Sequence, residues 1–210
     1  MGGGNLSLFL LAAAIIAAIP GPGIFYVAAR TLSGGRQAGI ASTFGTALGG
    51  LVHVAAGGLG VSAIVLASAQ LFTLLKLAGA LYLIWLGIRT IREAGNLPPE
   101  QTGPIGTKRA FGEGVLVEAL NPKTAAFFLA FIPQFLEPAA GYPALQFMAL
   151  GLISVALNTL ADVIVVVAAS TARTNLVHRP RLVQRLRQGS GLFMAGLGVS
   201  LALARRPATS

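Results

Sequence analysis

The feature that most constrains this chain is an interruption, Ile19-Pro20-Gly21-Pro22-Gly23, inside an apolar run reaching from about Leu6 to Ala29. Proline has no N–H to give a helix, and glycine tolerates dihedrals that other residues avoid, so a helix cannot pass through intact. In water such a stretch is a turn. In hydrocarbon the freed backbone groups must find partners inside protein or beside a wet cavity, so a break at that depth is a candidate binding site.

Composition places the run in hydrocarbon. The chain is 55% hydrophobic and 10% charged, with mean hydropathy +0.78, against roughly 25% charged residues in a soluble domain. The net charge of +9 raises nucleic acid as a partner, but most of the basic residues fall in short loops between apolar runs. With no Cys, disulfides and thiolate metal sites are excluded. The first run has no Lys or Arg before it and exceeds the length of a signal-peptide core, so it reads as a retained span.

Six apolar segments are long enough, or nearly so, to cross about 30 Å of hydrocarbon. They run roughly Leu6–Leu32, Gly39–Ala67, Ala69–Ile91, Phe111–Phe135, Leu145–Thr171 and Gly189–Ala204, the last beginning amphipathically near Leu182. A tight hairpin is predicted near Ser68-Ala69-Gln70, and a polar linker from Gly95 to Arg109 divides three spans from three. Arg30 and Arg36 fall in the first loop, Arg89, Arg92, Lys108 and Arg109 in the third, and five arginines in the fifth. The even loops carry none, so the odd loops are predicted cytoplasmic and both termini outside, with Arg205 and Arg206 breaking the alternation.

The halves also match each other. At an offset of 102, Pro20, Phe25, Tyr26, Val27 and Ala28 meet Pro122, Phe127, Phe128, Leu129 and Ala130. Three spans per half is an odd number, so the halves must be inverted. The fold expected is an all-α integral membrane protein of one domain, residues 1–210, with repeats of about 6–94 and 110–206 and broken first and fourth helices. Paired broken helices in inverted repeats point to a transporter's binding site.

The ordered series Pro20-Gly21-Pro22, Gly45-x-x-x-Gly49-x-x-x-His53, Leu75-Lys76-x-x-Gly79-Ala80-x-Tyr82-Leu83-Ile84-Trp85-Leu86-Gly87, Asn121-Pro122-Lys123, Pro133-Gln134-Phe135 and Asp162 resembles the LysE/RhtB family of amino-acid exporters. Its homoserine and threonine efflux branch is the nearest in pattern. The resemblance implies a bacterial inner-membrane exporter of a small neutral amino acid or derivative, coupled to the proton gradient. That branch often carries an amide where this chain has Glu118, a departure that bears on the substrate.

Depth arithmetic tests the polar residues apart from any family. Lys123 lies roughly 18 Å into the fourth span from Phe111, Asp162 roughly 16 Å before Arg173, and His53 roughly 21 Å past Gly39. Ionisable groups so deep face partners or water, and are functional candidates by default. Substrate contacts are assigned to Pro20, Gly21, Pro22, Gly23, Asn121, Pro122, Lys123 and Asp162, and proton coupling to Asp162, His53 and Glu118. The half-helix starting at the first break would offer N–H groups to a carboxylate. The competing structural reading has Asn121 and Lys123 satisfying the backbone around the kinks, Lys123 paired with Asp162, and His53 packing and hydrogen-bonding in its Gly-rich helix. Lys76 is shallow enough to snorkel and reads as structural.

No metal or cofactor is expected, since His178 is the only other His and lies in a loop. No paired carboxylates, Ser/His/Asp set or nucleotide loop supports an enzyme. The partners expected are an amino acid, protons and the lipid bilayer; a homo-oligomer is compatible. A scaffold, a passive channel and an exporter of a basic amino acid are the alternatives.

Overall fold

A computed structural model of the chain describes residues 3–67, 69–95, 106–171 and 180–203. Among these residues every regular element is helical. The first apolar run forms α1 (Gly3–Ala18), stops at the break, and resumes as α2 (Pro22–Ala67). At Gly35, φ is 78°, the left-handed region that favours glycine. That residue bends α2 into a first stretch, residues 22–34, and a second, 36–67. The helix thus runs past Leu32, and Arg30, counted above as a loop residue, lies inside it.

Next come α3 (Ala69–Arg92), α4 (Thr107–Ala119) and the short α5 (Pro122–Ala126). The fourth run does not return to a plain helix after its break. It continues as a π-helical turn, Phe127–Phe131, and a 3-10 turn, Ile132–Phe135. Pro133 lies in that second turn, and the Gln134 side chain donates to the Ala130 carbonyl at 3.2 Å. Then α6 (Pro143–Thr171) and α7 (Pro180–Leu203) complete the chain. The expected hairpin centre at Ser68, most of the polar linker and most of the fifth loop lie outside the described residues.

Pro22–Gly60 and Pro143–Thr171 are long and apolar enough to cross a membrane. Thr107–Ala119 with Pro122–Phe135, bent by 41°, is a third span if its two pieces are taken as one. Leucines such as Leu11, Leu59, Leu81 and Leu116 point outward, as a surface solvated by lipid requires.

Small residues set the packing. The second stretch of α2 lies between α4 and α6, while α3 pairs with α7. A Cβ on Gly45 would run into the Phe111 carbonyl, and one on Gly49 would meet the Val115 carbonyl at 2.5 Å. A Cβ on Gly57 would collide with the Phe147 ring. Glycine at these positions lets backbones approach where lipid provides no hydrophobic drive between helices. Phe9, Phe128, Phe147 and Ile132 form the main apolar core, which clamps α1 and the π-turn against α6.

Candidate functional site

The two breaks meet in the middle of the bundle. At the first, Pro20 cannot donate to the Ile16 carbonyl, its helical partner four residues back. Lys123, from the second break, fills that place: its Nζ donates to Ile16 O at 2.9 Å and to Ile19 O at 2.7 Å. An ammonium has three N–H groups, so one remains. The Lys123 stem passes directly over Gly21, where an added Cβ would lie 2.9 Å from its Cδ. Glycine at 21 therefore makes room for the lysine.

The second break repeats the logic. Pro122 cannot donate to the Glu118 carbonyl, so the Asn121 N–H turns back to it at 3.0 Å and the His53 Nε2 approaches at 2.9 Å. A carbonyl only accepts, so His53 must carry its proton on Nε2 here. The His53 ring also rests on Phe128, centroids 5.6 Å apart. His53→Phe should therefore lower the thermal stability of the purified protein by about 0.5–1.5 kcal/mol, the net contribution of one hydrogen bond to a carbonyl that keeps the Asn121 N–H. His53→Gln, which keeps a donor, should recover much of it. Equal melting temperatures for the parent and His53→Phe would contradict this capping role.

The restart of the fourth helix shows how the remaining groups are held. Asn121 is the N-cap of α5, its Oδ1 accepting from the Lys123 backbone N–H at 3.0 Å, with Pro122 in the first helical position. Its Nδ2 donates to Glu118 Oε2 at 2.9 Å, and Thr124 Oγ1 donates to Glu118 Oε1 at 2.6 Å. Both oxygens of this buried carboxylate are thus occupied at the start of a half-helix, where negative charge is favoured. On the far wall, Asp162 is 6% exposed, and its Oδ2 lies 2.8 Å from Thr46 Oγ1. The same hydroxyl lies 2.9 Å from the Thr43 carbonyl.

Among the described residues no ion pair within 4.0 Å joins Lys123 to Asp162. The predicted pairing is replaced by the caps at Ile16 and Ile19, because carbonyls that lose their regular helical donor at the first break, Ile16 O keeping only a 3.2 Å bond from the Ile19 N–H, are nearer to the ammonium than the carboxylate is. The structural reading of Lys123 and Asn121 is correct in its main part: both satisfy backbone.

Between these walls lies a small, partly open cavity. Gly21, Gly23, Asn121, Lys123, Asp162 and Glu118 line it, so six of the residues named from sequence come together. Pro20, Pro22, Pro122 and His53, also named from sequence, do not line it. Sequence reasoning missed Thr46, Thr124, Asn158 and Thr159, which also line it. Asn158 was within reach, since it stands four residues before Asp162 and so on the same helix face. Gly23 and Ile24 bring the first turn of α2, with N–H groups that have no partner within the helix, to the cavity edge. Among the described residues no cluster of His, Cys, Asp and Glu could hold a metal.

Comparison with known proteins gives this geometry a context. Residues 14–205 match the family model described as LysE type translocator. A Vibrio cholerae protein named only as an uncharacterized membrane protein is 30% identical over 94% of this chain and 96% of its own length. A homoserine/homoserine lactone efflux protein of Salmonella typhimurium is 28% identical over 94% of the chain and 95% of its own. A leucine efflux protein of Salmonella choleraesuis is 25% identical over 70% of each chain. No solved structure matches.

Proposed function

The chain belongs to the LysE type translocator family and is a transporter rather than an enzyme, and we propose that it exports a small amino acid or close derivative. The proposal extends to alternating access across a bacterial inner membrane, with six spans in two inverted halves and the proton gradient as the drive. The observation that carries it is the cavity at the crossing of two broken helices, polar inside an apolar bundle, with Lys123, Glu118 and Asp162 in its wall. The efflux names of the Salmonella relatives support the substrate class.

Each residue then has a task. The N–H groups of Gly23 and Ile24 at the start of α2 and the remaining N–H of Lys123 receive the substrate carboxylate. Asp162 receives the ammonium or a proton, which compete for one site; competition of that kind is what antiport needs. Glu118, already satisfied by Asn121 and Thr124, holds the second break in shape and lends negative charge to the ammonium end. The prolines and glycines keep the backbone open.

A neutral, short amino acid of the homoserine or threonine kind is the reading that the homoserine/homoserine lactone efflux relative supports. A basic amino acid is the alternative, favoured by the carboxylate at 118. Counterflow in proteoliposomes with labelled homoserine, threonine, leucine and lysine separates them. Exchange of the neutral amino acids is expected. Exchange of lysine alone would select the basic substrate, and exchange of none would overturn amino-acid export.

A further inference from the structure

A second polar cluster lies to one side of the cavity, and none of its members lines it. Tyr26 and Arg30, on the first stretch of α2, are 5% and 6% exposed. Arg30 NH2 donates to Glu113 Oε2 at 2.6 Å, its guanidinium lying 5.3 Å from the Tyr26 ring centroid. The Tyr26 hydroxyl lies 2.8 Å from the Ala110 carbonyl and 3.3 Å from Glu113 Oε2. Arg109 holds the other carboxylate oxygen, Nε to Oε1, at 2.7 Å. One carboxylate on α4 therefore ties down the inner half of the first broken helix.

Its level follows from helix rise. Glu113 is five residues, roughly 7.5 Å, from Glu118, and Arg30 is seven, roughly 10 Å, from Gly23, both toward the arginine-bearing loops. At the same level the bundle is shut elsewhere. A Cβ on Gly114 would meet the Ser42 carbonyl at 2.8 Å, and one on Gly39 would press on Val166 at 3.0 Å and on Thr31. Ala38, Thr43 and Ala169 are buried there too. What closes the cavity on that side by ionic contact, rather than by glycine packing, is the Arg30–Glu113 pair.

One detail sets this pair apart from a static brace. Arg30 Nε is buried with no hydrogen-bond partner, so only part of the guanidinium fork is used. A pair serving stability alone is expected to satisfy a buried donor, because leaving one unmade is costly. A fork with a free edge can change partners.

We propose that Tyr26, Arg30, Glu113 and Arg109 form a cytoplasmic latch over the cavity, and that parting Arg30 from Glu113 opens the path by which substrate enters from the cytoplasm. This rests on the cavity being the transport site and on the odd loops being cytoplasmic. The latch holds the protein shut to the cytoplasm, with α2 before Gly35 as the element released from α4.

The chain has no Cys, so Ala47→Cys places a single thiol in the cavity wall. Its reaction with a membrane-impermeant, charged methanethiosulfonate is followed in inside-out and right-side-out vesicles. Adding Glu113→Gln should speed labelling from the cytoplasmic face roughly tenfold, as removal of one charge-assisted contact biases a two-state equilibrium. Tyr26→Phe, which removes only a hydroxyl, should raise it about two- to threefold, and it carries the test if the glutamine variant is not recovered from membranes. Unchanged cytoplasmic labelling, or a rise from the opposite face alone, would overturn the latch. Faster labelling in a protein that shows no amino-acid counterflow would leave the latch standing and remove the export reading instead.

Discussion

Asp162→Asn is expected to abolish gradient-driven export while leaving the protein folded and still able to exchange substrate across a membrane without a gradient. The reason is a count of protons. Thr46 has one hydroxyl hydrogen and two acceptors in reach, Asp162 Oδ2 at 2.8 Å and Thr43 O at 2.9 Å. With Asp162 ionised, the hydroxyl donates to the carboxylate. With Asp162 protonated on Oδ2, the acid donates to the hydroxyl, which turns to Thr43. Both protonation states fit one arrangement of heavy atoms, as a group that gains and loses a proton each cycle requires. Asparagine resembles only the protonated acid in charge and shape. Accumulation against a pH gradient should fall to background, at least roughly a hundredfold if the proton step is obligatory, whereas counterflow should persist at saturating substrate with its KM raised about tenfold or more, for the lost ammonium contact. Gradient-driven export at the parental rate in Asp162→Asn would remove this carboxylate from the coupling mechanism.

Lys123→Met should cost both stability and transport. The thioether keeps the stem that lies over Gly21 but loses the two bonds to Ile16 O and Ile19 O. Hydrogen bonds from a charged donor contribute about 1.5–3 kcal/mol each, so a loss of about 3–6 kcal/mol is expected before relaxation. That is enough to reduce the folded yield in membranes, and any folded fraction should export at least about tenfold more slowly, because the first break is no longer held open at the cavity. Lys123→Arg is not expected to rescue it, since the larger fork has to pass a glycine that already touches the lysine stem. Thermal unfolding in detergent and counterflow on the same preparations read the two effects separately. Full stability in Lys123→Met would show that Lys123 does not hold the first break together.

Why the breaks were legible and their stitching was not comes down to range. Proline removes an N–H wherever it stands, so Pro20 and Pro122 announce orphaned carbonyls at Ile16 and Glu118 from sequence alone. Rise per residue places Lys123, Asp162 and His53 at comparable depth, and the first two line the cavity; Glu118, which the same count puts only roughly 10 Å into its span, lines it as well. Which side chain caps which carbonyl is a tertiary fact. His53 stands 65 residues from the carbonyl that it covers, and Lys123 stands 107 from Ile16. The π-turn at Phe127–Phe131 was invisible for a different reason, since its apolar residues read the same in any helical winding. Arg30 was misplaced because a charge near the end of an apolar run was read as the loop. The structure keeps it helical up to Gly35 and pairs it with Glu113, a carboxylate that no local pattern singles out.

The central claim is that the cavity between the two breaks is where the amino acid sits. Its most direct test uses Ala47→Cys in proteoliposomes, with the amino acid that gives the fastest counterflow. That amino acid should slow alkylation of the introduced thiol with a half-effect at its own counterflow KM, and a bulky adduct on the thiol should block exchange. An alkylation rate indifferent to saturating substrate, with exchange undiminished after complete modification, would contradict the account.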